Sequence, residues 1–179
     1  MLQKLHHVAY RCTNATETVE FYTKIIGLPF AHAVTADYVP SIKQYSPHLH
    51  IFFEMADGSY IAFFEVPKSP AAQKDPNTPE WVQHLALEVE DEAALIEGKR
   101  RLQAAGHDVI GPTDHGFCKS IYFFDPNGHR LEMTIRCEQP GELAGFKTEA
   151  WTMLEKWEER RRAEHWDELH RAKQPETAG

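Results

Sequence analysis

The chain has 179 residues, 42% of them hydrophobic and 26% charged, which suits a globular protein with one good core or two small fused modules. A net charge of −8 argues against nucleic-acid and anionic-membrane partners, and no stretch nears the roughly 18 apolar residues of a membrane span. Residues 1–7 lack the apolar run of a signal peptide, and Cys12, Cys118 and Cys137 lack zinc-ligand spacing, so free thiols in the cytoplasm are expected.

Residues 4–12 are dominated by β-formers and read as a strand. Thr13-Asn14 offer caps for a helix in which Val19, Tyr22, Ile25 and Ile26 recur at helical spacing, and Gly27 supplies the stop. Strands follow at about 28–38, 48–57 and 60–67, the last two joined at Asp57-Gly58. Pro67, Pro70, Pro76 and Pro79 then mark a stiff linker over 68–80.

The same order returns after the linker. Residues 81–91 read as a strand, 92–105 as a helix, and 108–113, 119–125 and 129–137 as three strands. His7-Val8-Ala9-Tyr10 can be laid on His84-Leu85-Ala86-Leu87, and Phe63-Phe64-Glu65 on Arg130-Leu131-Glu132. Element order, histidine and glutamate all repeat, which points to an α+β fold of two tandem βαβββ modules, 1–67 and 81–138. The remainder, 139–179, reads as a long helical extension from about Glu142 to Lys173. It carries a Glu158–Arg162 pair and a stripe of Trp151, Leu154 and Trp157 that Trp166 and Leu169 extend. Such a stripe needs cover from the sheet or from a second copy, so a homodimer is expected.

Strand alternation sorts the side chains by face. His7 lies with Ala9 and Arg11, His84 with Ala86 and Glu88, and Glu132 with Arg130 and Thr134; Glu65 lies with Ile61 and Phe63. Each of these ligand candidates is read as opposing the apolar core face. Two imidazoles and a carboxylate, His7, His84 and Glu132, make a facial triad suited to Fe(II) with open positions. Adding Glu65 gives a set matched to Zn, Ni or Co, and Mn also accepts such donors. The linker allows the modules to pair within one chain, or to swap so that His7 and Glu65 meet another copy's His84 and Glu132.

The runs His6-His7-Val8-Ala9-Tyr10, Val19 to Phe30, His84 to Val89 and Phe124 to Glu132 resemble the glyoxalase, bleomycin-resistance and extradiol-dioxygenase superfamily over residues 4–137. The resemblance implies that the modules form an open, barrel-like cup around one divalent metal held by His7, His84 and Glu132. A narrower run is similar to the signature of type I extradiol ring-cleaving dioxygenases. It consists of Thr113-Asp114-His115, Ile121-Tyr122, Asp125-Pro126-Asn127-Gly128 and Glu132. That likeness implies that His115 and Tyr122 hydrogen-bond the oxygens of a catechol-type substrate on Fe(II). Aromatic residues around the strands, Phe63 and Phe117 among them, are expected to line the substrate pocket. One departure stands out: no histidine occupies Ser59-Tyr60-Ile61, where extradiol enzymes place a basic histidine, and His48 or His50 would have to substitute. Glu65, 19 residues before His84, instead resembles the fourth ligand of glyoxalase I-like enzymes. A redox-neutral lyase or isomerase, and a non-catalytic binding module, therefore stand as alternatives.

Overall fold

A computed structural model describes residues 1–166. Asn14 starts the first helix as its sequence suggests, its Oδ1 accepting from the Thr16 and Glu17 amides at 2.9 and 3.2 Å. That helix, α1 (Ala15–Glu20), runs on as a π-helical segment, Phe21–Ile26, and stops where Gly27 turns left-handed at φ 93°. It joins β1 (His7–Cys12) to β2 (Phe30–Val39), β3 (Gln44–Glu54) and β4 (Tyr60–Glu65). The sheet order is β1-β4-β3-β2, with β1 parallel to β4 and the other pairs antiparallel.

The second module repeats this plan with β5 (Leu85–Glu88), α2 (Glu92–Ala104), β6 (Ile110–Asp114), β7 (Cys118–Phe124) and β8 (Arg130–Arg136). Its order, β5-β8-β7-β6, matches the first sheet strand for strand. The two-module α+β reading therefore holds. The expected strand over 81–91 shortens to Leu85–Glu88, so His84 stands just ahead of it. Among the described residues, eight strands form two separate four-stranded sheets and no closed barrel.

Each sheet buries the phase that faces its helix. Ile51, Phe53, Ile61 and Phe63 pack with Tyr22 in module one, and Ile121, Phe123, Leu131 and Met133 pack with Leu95 and Leu102 in module two. Burying each large side chain stabilises the fold by about 1.5–3 kcal/mol. Gly98 lets α2 approach β8, since a Cβ there would lie 2.7 Å from the Met133 sulfur.

The modules meet through the turn between β7 and β8. Asp125, buried, accepts from the Tyr22 hydroxyl at 3.2 Å and from the Asn127 and His129 amides at 2.9 and 2.8 Å. Asn127 donates to Thr18 Oγ1 at 3.1 Å and accepts from the Thr13 amide at 2.9 Å. His129 Nε2 lies 2.7 Å from the Arg11 carbonyl, and its ring packs on Tyr10 at 4.8 Å. Phe21 touches His107 and Phe123. Apart from His107, in the loop after α2, the side chains in this set belong to helices, to the turn, or to the helix-bearing phase of a sheet.

Residues from Cys137 onward form a separate unit. Its helix α3 (Glu142–Ala163) gives way to a turn where His165 has φ 55°, and the expected helical stretch over 167–173 lies outside the described residues. Glu158 pairs with Arg161 at 2.9 Å, one residue before the expected Arg162, whose Nε donates to the Glu158 carbonyl instead. Trp151, Leu154 and Trp157 are exposed, and the Trp166 ring lies tilted against that of Trp157, centroids 5.0 Å apart. Leu169 lies outside the described residues.

Candidate functional site

β8 and β7 place their site residues by register. Tyr122 pairs with Glu132, Phe124 with Arg130 and Ser120 with Thr134, so these six share one face. The parallel partner β5 sets Ala86 opposite Glu132 and brings the preceding His84 to the same side. His84 Nε2 and Glu132 Oε2 are 3.0 Å apart, with the carboxylate buried and the imidazole half-buried. Adjacent donors on an octahedral ion with bonds of about 2.1 Å are separated by about 3.0 Å, so this pair fits one edge of a metal site.

A second pair flanks the first. His115 Nε2 and the Tyr122 hydroxyl are 2.8 Å apart, and the Tyr122 ring meets His84 edge-on at 6.2 Å. A bulge in β6 delivers Thr113-Asp114-His115 to that position. At its centre Gly111 sits at φ 101°, where a Cβ would lie 2.5 Å from the Ser120 carbonyl oxygen. Burial first, and then the Glu132 charge, push the Tyr122 phenol above its ordinary pKa, so it remains a proton donor at neutral pH. Phe117, exposed on the same hairpin loop, stands beside His115 in sequence.

His7 is placed elsewhere. It pairs with Tyr60 and shares its face with Ala9, Ala62, Phe64, Phe52 and His50. Its ring lies 5.9 Å from Phe52 and 6.1 Å from His50, and its Nδ1 is 2.8 Å from that of His6. Among the described residues no three His, Cys, Asp or Glu side chains gather to hold one metal ion. The reason is topological. Both the His7 face and the His84–Glu132 face lie opposite the helix-bearing sides through which the two modules meet.

Two other expected residues lie outside this surface. Glu65 belongs to the phase of Ile61 and Phe63, opposite His7, and its Oε2 accepts from the Ala15 amide at 2.7 Å, capping α1. It also borders a hollow of about 330 Å³ with Asp37 and His48, remote in register from His7. Phe63, expected as a pocket wall, is fully buried against Tyr22 and Phe53. Alternation placed both on the phase of Ile61, and the register with β1 shows that phase to be core. Of the two substitute histidines, His50 reaches the His7 ring. Its Nε2 is buried without a hydrogen-bond partner, and burial, then His7, His48 and His32, lower its pKa to about 4.

The residue that sequence reading left without a role is Arg130. Its alternation with Glu132 was legible, but that pattern carries no chemistry by itself.

Known proteins share this architecture. Residues 4–133 match the sequence profile of the Glyoxalase/Bleomycin resistance protein/Dioxygenase superfamily. MhqA of Bacillus subtilis (strain 168), placed by name with ring-cleaving dioxygenases, is 26% identical over 141 residues, 76% of this chain. The chain spans only 42% of that relative's length. A glyoxylase/bleomycin resistance protein/dioxygenase domain from Frankia sp. EAN1pec superposes with TM-score 0.63 at 18% identity, covering 76% of this chain and all of that one. The fosfomycin resistance protein FosX of Listeria monocytogenes, solved with Mn(II) and sulfate, gives TM-score 0.54 at 20% identity over 76% of this chain and 95% of that one. With the profile match covering most of its length, this chain belongs to the glyoxalase/bleomycin resistance protein/dioxygenase superfamily.

Proposed function

We propose that the protein is a metal-dependent enzyme for a small molecule with two vicinal oxygens, and that it is an extradiol ring-cleaving dioxygenase of a catechol-type substrate. The observation that carries this reading is the adjacency of two pairs on one face: His84 with Glu132 at 3.0 Å, and His115 with Tyr122 at 2.8 Å. The first pair fits two donors of a divalent ion, Fe(II) being the ion such a donor set suits when positions stay open. That ion, when bound, supplies positive charge and open positions at which two neighbouring substrate oxygens are held. The second pair supplies directed donors. The protonated Tyr122 hydroxyl and the His115 imidazole stand ready to hold a proton at a substrate oxygen as negative charge develops there.

The third donor is His7 of the partner subunit in a homodimer. Within one chain the modules are joined through their helix-bearing sides, so the cup faces look outward, and among the described residues no third His, Cys, Asp or Glu joins the His84–Glu132 pair. A second copy, presenting its module-one face to this module-two face, completes the triad and closes the cup.

A redox-neutral reaction of the glyoxalase kind is the second reading, since a divalent ion held by His and carboxylate donors also serves such chemistry. The placement of Glu65 on the core phase weakens it, because the carboxylate needed to abstract a proton is then remote from the donors.

The test is anaerobic reconstitution with Fe(II), then 2,3-dihydroxybiphenyl or simple catechols in air. Fe(II)-dependent yellow ring-cleavage product, lost in His84→Ala, is the expected result. No colour from a protein that holds its metal would overturn the dioxygenase reading and leave the redox-neutral one.

A further inference from the structure

Arg130 stands on the Glu132 face, two residues before it on β8, with its guanidinium 4.7 Å over the Tyr122 ring. Its Nε is buried without a hydrogen-bond partner, and no carboxylate among the described residues pairs with it. Its neighbours explain why. Glu132 is engaged with His84, while Lys74, over the Phe124 ring on the same face, is paired with Glu80 at 3.1 Å.

A half-buried guanidinium without an anion is costly, because desolvation of the charge is not repaid by the aromatic ring alone. Its planar fork matches a carboxylate, to which it can donate two parallel hydrogen bonds. Side chains two apart on a strand are separated by about 7 Å. That span is close to the length of a benzene ring carrying a hydroxyl at one end and a carboxylate at the other.

We propose that Arg130 anchors an anionic substituent of the substrate, so that the molecule taken is a vicinal-oxygen compound bearing a carboxylate distal to the chelating oxygens. The inference rests on the metal-site reading above for the chelating end and on Arg130 alone for the anionic end. Tyr122 then has two functions: its hydroxyl faces the substrate oxygens with His115, and its ring holds the guanidinium in place.

The experiment measures calorimetric binding of catechol, 3,4-dihydroxybenzoate and benzoate to the full-length, Zn(II)-loaded protein without oxygen, with metal content determined separately. The dihydroxybenzoate should bind at least about 10-fold more tightly than catechol. Arg130→Met should erase that preference while leaving metal content and catechol binding unchanged, and Arg130→Lys should keep part of it. Absence of a preference in the wild type, or a preference that survives in Arg130→Met, overturns the proposal. Loss of metal in Arg130→Met also overturns it, by making the residue a structural support of the metal site. If neither diol binds but benzoate binds through Arg130, the anion anchor stands and the chelate reading falls. If nothing binds, the proposal is overturned.

Discussion

Co-expressing His7→Ala and Glu132→Ala chains with different affinity tags separates a site built within one chain from one built between two. If module one of each copy meets module two of the other, the heterodimer holds one site with both lesions and one with neither. Tandem purification should then yield a heterodimer carrying about half the wild-type metal per dimer, from symmetry alone. Either variant by itself should be nearly empty at moderate metal concentration. Removing a group that merely supports a ligand weakens metal affinity by about 10–100-fold, so removing a ligand should cost at least that. Elemental analysis of desalted protein reads the ratio. The outward placement of the two faces, with His84 and Glu132 only 3.0 Å apart and His7 against His50, predicts the half value. A tandem-purified heterodimer with no more metal than the single variants would refute the reasoning, and so would a protein that stays monomeric while fully loaded.

Other perturbations reach different parts of the molecule. Asp125→Ala removes a buried carboxylate from Tyr22, Asn127 and His129 and should cost about 3–5 kcal/mol in urea unfolding; Tyr22→Phe should cost about 1 kcal/mol. A loss below about 1 kcal/mol for Asp125→Ala would show that the turn does not lock the modules. Tyr122→Phe should lower turnover while metal content stays constant, and an unchanged rate would make the hydroxyl a bystander. His50 has a folded pKa lowered to about 4, below the ordinary 6.5. Its contribution is therefore complete above pH 6.5 and is lost as pH falls from there toward 4. The urea midpoint of His50→Gln should accordingly fall less over that window than the wild type's, and parallel curves would contradict this.

Much of the fold was legible because its signals are local. Asn14 and Gly27 bracket the first helix chemically, and the element order of the first module returns intact in the second. The shared face of Tyr122 and Glu132 follows from alternation once β7 and β8 are paired, whereas their contacts to His115 and His84 need the bulge in β6 and the parallel β5–β8 pairing as well. What escaped were matters of register and of packing between modules. Glu65 and His7 each stand on a strand with one apolar phase, yet only the His7↔Tyr60 pairing shows that they point to opposite sides. The π-helical stretch Phe21–Ile26 has the same apolar spacing an α-helix would show. The Asp-Pro-Asn-Gly run read as a family signature, and the hydrogen bonds from Asp125 and Asn127 to module one lie beyond any pattern in the chain.

That turn has a mechanical consequence. It opens β8, the strand of Arg130 and Glu132, while His129 grips the carbonyl of Arg11 on the strand that carries His7. In a dimer with exchanged faces, each chain becomes a stiff strut running from one cup to the other. A pull on the strand in one cup is felt at the imidazole in the second, about as directly as two ends of a lever share a fulcrum. Occupancy of the two cups would then be coupled, with the sign of the coupling set by the way the strut tilts.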